Sequence, residues 1–330
     1  MNILNKTKWL SLIAVGLACA AGAAGAETKA LRSVTYLLPA PPTLPAFAPW
    51  MVAQQRGYYA DEGLEVKFIT AKGGADVAKQ VGAHNAPLGG GVGDTPIIVR
   101  ANGIPVKAVA VLGGSSFMHL AVDKDSGIQS VEQLKGKTVG AMSYADTTYF
   151  ALLGMLKANG LDKSDVDIQA SGPAVWKLFA DKKIPALASI PEWSINAEMA
   201  GVNVEIIPAD KYFKSMAQAI LASDKAVKEE PELIAGFVRA TLKGLEDIKK
   251  DPASAAQDYA KAVPSYQGKE DYVHRVFQLY NKLVYANQER PGEIDAQRVG
   301  TLQEFYLKEN IIDKKVPLDE LYTNQFIPAK

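Results

Sequence analysis

The sequence predicts an α/β protein of two lobes with a ligand cleft between them. Three observations carry that expectation. From Ser33 onward, short apolar runs alternate with helical patterns, the order that builds a parallel sheet covered by helices. The alternation starts afresh near His119, which implies a second sheet. Beyond Lys225 the chain reads almost wholly as helix. Small ligands bind between such lobes, at the carboxyl ends of the strands.

Taken in order, SVTYLL (33–38) is strand-like. The proline-dense loop PAPPTLPAFAP (39–49) empties into APWMVAQQRGYYADEG, a helix closed by Gly57 or Gly63. LEVKFI (64–69) alternates with period two and is the second strand, GADVAKQVGAHN (74–85) is a helix, and PVKAVAVL (105–112) is another strand. This βαβαβ order implies parallel strands with right-handed crossovers. GGGVGD (89–94) lacks a phosphate-cradle lysine and dinucleotide spacing. It reads either as a strand end whose bare backbone lines the cleft or as a plain turn.

In the second block HLAVD is a strand, SVEQLKGK a short helix and TVGAM (138–142) a strand. A long helix, TTYFALLGMLKANGL, stops at Gly160; the strand DVDIQAS, the helix AVWKLFADK and the strands ALASIPEW and NVEIIPA follow. The run from Pro231 carries Leu233, Phe237, Val238, Leu242 and Leu245 on one stripe, the face a helix buries against a sheet.

The first 26 residues differ from the rest. Lys6 and Lys8 precede an apolar run from Trp9 to Ala21, and Ala24-Gly25-Ala26 ends it. That is the three-part pattern of a signal peptide cut before Glu27, and the apolar run is too short for a permanent membrane span of about 20 residues. Without Lys6 and Lys8, 34 of the 36 basic residues face 36 acidic ones, a net charge of −2. The single cysteine, Cys19, falls in this leader. It could accept a lipid, although Gly16 stands where a lipobox has Leu. The mature chain then has no disulfide, thiol chemistry or cysteine-ligated metal.

No basic run supports nucleic-acid binding. His84, His119 and His274 lack ligand spacing, and there is no GxSxG elbow and no P-loop. No catalytic residue, metal or cofactor is expected. Several segments instead sit at strand ends: PAPPTLPAF, KGGAD (72–76), GVGDTP (91–96), SYADTT (143–148) and PEW (191–193). Ser143-x-x-Asp146 is a capping-box variant, and its turn could also offer free amides to a ligand. Trp193 and Tyr144 could supply flat faces, and Trp193 equally reads as a packed interior aromatic.

Three stretches resemble one family: FAPWMVAQQRGYYADEGLEVKF (47–68), GVGDTPIIVRANGIPVKAVAVL (91–112) and GIQSVEQLKGKTVGAMS (127–143). They resemble periplasmic solute-binding proteins of ABC importers, in the branch that binds thiamine pyrimidine precursors, alkanesulfonates, taurine and nitrate. The resemblance covers nearly the whole mature chain. It implies a type II periplasmic-binding fold, with one lobe from 27–115 plus 217–330, the other from 116–216, and a hinge near 113–118 and 215–219. It places ligand contacts at Thr43, Phe47, Gly73, Gly74, Gly93, Asp94 and Thr95 in the first lobe. In the second they fall at Ser143, Tyr144, Thr147, Glu192 and Trp193. Where the family usually reads small-Gly-x-(Val/Ile)-Asp-Ala, this chain has DKKIPA (181–186), which leaves the geometry around Glu192 open.

The resemblance further implies a monomeric capture protein in the periplasm that delivers its ligand to a membrane permease. A pyrimidine-forming enzyme of eukaryotic thiamine synthesis shares the fold, but it needs a cysteine cluster and works inside the cell. A sensory module remains a third reading. Among the loop segments only Lys72 is basic, against Asp76, Asp94, Asp146 and Glu192. That balance suits a neutral or cationic planar nitrogen heterocycle, stacked on Trp193 or Tyr144 and donating N–H to Glu192 or Asp94. An organic sulfonate, nitrate or aromatic carboxylate is the alternative.

Overall fold

The structure is a computed structural model that describes residues 30–329. The expected leader at 1–26 and Cys19 lie outside the described residues. The first lobe opens with β1 (Arg32–Leu38), α1 (Ala48–Gln55), α2 (Tyr58–Asp61) and β2 (Leu64–Thr70). It continues with α3 (Gly74–Gly82), β3 (Leu88–Val92), α4 (Thr95–Ala101) and β4 (Val106–Val111). Gly57 adopts φ 77°, a left-handed conformation that side chains resist. There the single helix expected from Ala48 breaks into α1 and α2.

The chain then enters the second lobe: β5 (His119–Asp123), β6 (Thr138–Ala141), α5 (Thr147–Ala158), β7 (Asp167–Ala170), α6 (Val175–Ala180), β8 (Ala186–Ser189), α7 (Pro191–Met199) and β9 (Val204–Pro208). It returns through β10 (Gln218–Ser223) into α8 (Asp224–Glu229), α9 (Pro231–Lys250), α10 (Pro252–Ala262), α11 (Glu270–Leu283), α12 (Ala296–Lys308) and α13 (Leu318–Leu321). The strand orders are β2-β1-β3-β10-β4 and β7-β6-β8-β5-β9.

Neither sheet is purely parallel, contrary to the expectation. β1 runs parallel to β2 and β3, but β10 inserts antiparallel between β3 and β4. In the second sheet β5 runs antiparallel to β8 and β9. The cause is the double crossing: β5 and β10 each enter their sheet from the opposite lobe. QAILAS of β10 is buried at all six positions, so it carries no period-two signal to mark it as a strand. GGG of β3 is strand, not turn. A Cβ on Gly89 would lie 2.4 Å from Val77 Cγ1, and one on Gly91 2.8 Å from Leu221 Cδ1, so α3 and β10 approach bare backbone.

Two further local differences bear on the site. PEW does not extend a strand: Pro191 occupies the first turn of α7, where its missing N–H costs nothing. In DKKIPA, Lys182 takes φ 56° at the position where the resembled family has glycine. Its ammonium bonds Asp125 Oδ2 at 2.7 Å.

The first core centres on Tyr36, which stacks on Phe237 of α9 at 4.7 Å between ring centroids. α9 also buries Leu233, Ile234, Val238, Leu242, Leu245 and Ile248, each contributing about 1.5–3 kcal/mol when fully buried. The second sheet has an apolar core on each face: one around Leu152 and Met155 of α5, the other around Phe179 and Trp193.

Candidate functional site

The lobes meet at two polar places, each built on the start of a helix. Glu192 lies in the first turn of α7 and is 2% exposed. Tyr280 of α11 donates its hydroxyl to Glu192 Oε2 at 2.7 Å. Glu192 Oε1 is buried with no hydrogen-bond partner among the described residues. Burial pushes this carboxyl up to about 7, against the pull of Tyr280 and of the backbone amides of Glu192 and Ala46. A buried acceptor without a donor costs free energy until something fills it.

Tyrosines surround it. Tyr266 and Tyr272 are half-buried and parallel, with centroids 5.9 Å apart and an interplanar angle of 2°. Tyr259 lies 5.4 Å from Tyr266, and Tyr280 stacks on Tyr285 at 5.3 Å. Burial first, and then the negative field of Glu192, pushes the Tyr266 hydroxyl up to about 12. Tyr259 also donates to the carbonyl of Thr43 at 2.9 Å, pinning the proline-rich loop to α10.

The second place joins Asp94, at the start of α4, to Asp146 and Thr148, at the start of α5. Asp94 is fully buried; Tyr306 of α12 donates to its Oδ2, and Oδ1 has no partner among the described residues. Burial pushes the Asp94 carboxyl up to about 6, opposed by Tyr306; Asp146 adds to the rise and Arg298 lowers it. Asp146 caps α5 by accepting from Thr148 N at 2.9 Å, and also takes the Thr148 hydroxyl. The contact between them, lined in part by Asp94, Phe117, Met118, Thr148, Ser215 and Met216, is packed too tightly to admit a water molecule. Phe117 also packs 6.4 Å from Tyr280, so the two polar places are one aromatic ring apart.

The structure brings some of the sequence-derived positions together and separates others. Gly93, Asp94 and Thr95 form the β3–α4 junction; Gly93 N donates to Ala217 O at 2.9 Å, and Thr95 Oγ1 accepts from Val92 N at 3.1 Å. Gly73, at φ 89°, donates to Pro39 O, and a Cβ on Gly74 would lie 3.9 Å from Thr95 Oγ1. Thr43 is exposed on the first loop, whereas Phe47 is buried edge-on to Trp50 at 6.0 Å. Thr147 is the first residue of α5. Ser143 accepts from Ala145 N at 3.3 Å, so the cap of α5 is Asp146 and not Ser143.

The two expected stacking faces lie elsewhere. Trp193 is 7% exposed within the apolar core of Phe179, Ile190 and Val202. Tyr144 is 58% exposed, and its hydroxyl donates to Ile168 O of the edge strand β7 at 2.9 Å. The aromatic surroundings of Glu192 come from Tyr259, Tyr266, Tyr272, Tyr280 and Tyr285, and Asp94 is held by Tyr306; none of these was singled out from sequence. The one available signal was tyrosine, a side chain with a polar tip, recurring along helices whose inward positions otherwise carry Val and Phe.

Behind both places, one side chain ties the two crossings. Arg298 Nε donates to Lys214 O at 3.1 Å and Ser215 O at 2.9 Å on the returning segment. Nη1 donates to Gly114 O on the outgoing segment, and Nη2 to Asp210 Oδ1 at 2.6 Å. Asp210 Oδ1 also accepts from Ser116 N at 2.7 Å, and the hydroxyls of Ser116 and Ser215 are bonded. Buried His119 bonds Ser194 Oγ through Nε2 at 2.7 Å and is held down to about 3 by burial. Among the described residues no group of three or more His, Cys, Asp or Glu could hold a metal.

Comparison with known proteins agrees with this architecture. The riboflavin-binding protein RibY of Chloroflexus aurantiacus is 29% identical over 310 residues, 91% of this chain and 87% of that one. The 4-amino-5-hydroxymethyl-2-methylpyrimidine phosphate synthase of Aspergillus parasiticus is 24% identical over 234 residues, 67% and 68% of the two chains. Among solved structures, the alkanesulfonate-binding protein SsuA of Xanthomonas axonopodis pv. citri, bound to MOPS, superposes with a TM-score of 0.69 at 16% identity. That match covers 89% of this chain and 98% of that one. The fold is thus that of the periplasmic solute-binding proteins. The sequence model of the family described as NMT1/THI5 like matches residues 44–255. The chain belongs to the NMT1/THI5-like family.

Proposed function

We propose that this protein is the extracytoplasmic solute-binding component of an ABC importer, and that it captures a planar nitrogen heterocycle by closing its lobes. The observation that carries the reading is Glu192. Its buried Oε1 lacks a donor, and its Oε2 is already held by Tyr280. A ring N–H or exocyclic amino group completes that hydrogen bond in a setting of low dielectric, where it is strongest. The tyrosines around Glu192 supply flat walls. The relatives named for riboflavin and for an aminopyrimidine are named for flat nitrogen heterocycles, which supports the same class.

An anion fares worse here. It would meet Glu192 and Asp94 in a dry interface, where like charges repel strongly. Binding drives closure to the extent that the solute touches the closed form better than the open one. The hinge lies in the two crossings near 113–118 and 215–219, dividing the lobes at about residues 116 and 216. The leader carries the chain to the periplasm, where it works as a monomer, makes and breaks no bond, and docks on a membrane permease.

The test is a thermal-shift and calorimetry panel on residues 27–330. Riboflavin and 4-amino-5-hydroxymethyl-2-methylpyrimidine are set against MOPS, taurine and nitrate. A solute at about a hundred times its Kd adds about 2.7 kcal/mol, a clear shift. Shifts confined to the heterocycles support the reading; shifts confined to the anions overturn the solute class.

A further inference from the structure

We infer that the groove behind the hinge works against the cleft. Lys214 of the second lobe and an acidic wall on the first draw together as the cleft opens, so Lys214 sets how readily the empty protein shuts. This rests on the closure reading above, but not on the identity of the solute.

In this structure the lobes are shut. Glu192 of α7 meets Tyr280 of α11, and further along the same two helices Arg275 Nη2 donates to Glu198 Oε2 at 2.7 Å. Across the crossings a groove of about 780 Å³ stays open to water. Its floor is the crossings themselves, Gly113 and Gly114 on the way out and Met216 and Ala217 on the way back. Met216 also lines the tight contact at Asp94, so the hinge has that contact on one face and the groove on the other. Rigid lobes turning about such a hinge exchange one space for the other: what widens the cleft narrows the groove.

The walls of the groove belong to different lobes and differ in charge. The second lobe brings Asp210 and Lys214; the first brings Glu289, Glu293, Asp295 and Arg298. Asp210 and Arg298 are bonded to each other at the floor, against crossing backbone, where rotation moves atoms least. Arg290 bonds Glu293 at 2.8 Å and offsets its charge. That leaves the cation Lys214 across the groove from a wall that Glu289 and Asp295 keep negative. The carbonyl of Lys214 accepts from Arg298 Nε at 3.1 Å, yet the residue is exposed. Its ammonium therefore stands out from the floor, where rotation moves it furthest. Asp295 is fixed as the cap of α12 through Oδ1, so the negative wall moves with the first lobe. Opposite charges attract more strongly as they approach, and salt screens the attraction. The pull across the groove thus favours the open form. A solute captured by closure has its apparent affinity reduced by the fraction of protein held open.

The test needs no solute. The single cysteine falls in the leader, so residues 27–330 can carry nitroxide labels at Met199→Cys on α7 and Asp271→Cys on α11, both exposed. Double electron–electron resonance between them gives the ratio of open to closed protein. At about 20 mM salt Lys214→Glu should lower that ratio at least about threefold, while Lys214→Arg leaves it within about twofold. Adding Glu289→Lys to Lys214→Glu should move the ratio back toward the parent, and about 0.5 M NaCl should erase the differences. Two distances whose weights Lys214→Glu leaves unchanged at low salt, or a shift that persists at high salt, overturn the groove alone and leave capture by closure standing. A single distance in the parent, unmoved by any variant or by any solute of the panel, means that the lobes do not part, and closure falls together with the groove.

Discussion

Replacing Glu192 with Gln should make the empty protein more stable and the capture of solute weaker. The carboxyl titrates near pH 7 in the folded protein, against an ordinary value of 4.5. The folded state therefore binds more protons between those values, and stability falls as pH rises from about 4.5 through 7. Above pH 7 the full penalty is present. A rise of about 2.5 units corresponds to about 3 kcal/mol at 1.36 kcal/mol per unit. Gln keeps an oxygen for the Tyr280 hydroxyl and carries no charge, so it escapes this cost. The expected gain at pH 8 is up to about 3 kcal/mol, a rise of roughly 5 °C in Tm, shrinking to nothing near pH 4.5. Buried His119 works in the opposite sense, losing stability as pH falls below 6.5, but equally in both proteins, so the difference isolates Glu192. Solute affinity should fall by about 1–3 kcal/mol through the lost charged hydrogen bond. Thermal scans from pH 4.5 to 8.5 with calorimetry at pH 7.5 read both effects. A Tm difference that is flat with pH, or unchanged affinity, refutes the reasoning.

Arg298→Met should cost about 1–3 kcal/mol in urea unfolding, because it leaves the carbonyls of Gly114, Lys214 and Ser215 without its donors and Asp210 without its cation. Trp193→Ala should cost about 3–5 kcal/mol as a core cavity, while Trp193→Phe keeps solute affinity within twofold; a larger loss would return Trp193 to the binding surface. Tyr144→Ala should leave affinity within twofold by calorimetry, its ring being on the outer edge of the second sheet. Gly114→Ala should lower Tm by several degrees, since its Cβ would fall 1.9 Å from Asn287 O, a backbone atom that cannot step aside; an unchanged Tm would show that the crossing is looser than drawn.

Much of the fold was legible because its signals are local. The stripe of α9 and the alternation of β2 each announce one buried face, and the restart at His119 announces a second sheet. Strand direction was not legible, because β10 and β5 are set by a chain that crosses between lobes twice, and nothing inside QAILAS records where it has come from. The acidic half of the site could be read, since Asp94 and Glu192 stand at the starts of helices after strands. Its aromatic half could not. Trp193 and Tyr144 are adjacent in sequence to polar loops, yet one is drawn into the core of Phe179 and the other is held by Ile168 O. Tyr280 and Tyr306 come from helices 88 and 212 residues further along than the carboxylates they hold. Only the folded chain brings them into reach.

The insertion of β10 has a consequence for how the molecule must be assembled. Leu221 pairs with Gly89 on one side and Ala108 on the other, so an interior strand of the first sheet is the last of its strands to arrive. A chain emerging from its amino end cannot finish that sheet until everything in the second lobe has already passed. The second sheet, by contrast, is drawn from one continuous stretch and can close by itself. Contacts that span more than a hundred residues form slowly, since a long loop must be closed before they repay it. Pulsed hydrogen exchange during refolding should therefore find the amides of β5 and β8 protected before those of β3 and β10. The younger half of the molecule would thus mature first, and the older half would wait on it as an open-ended scaffold.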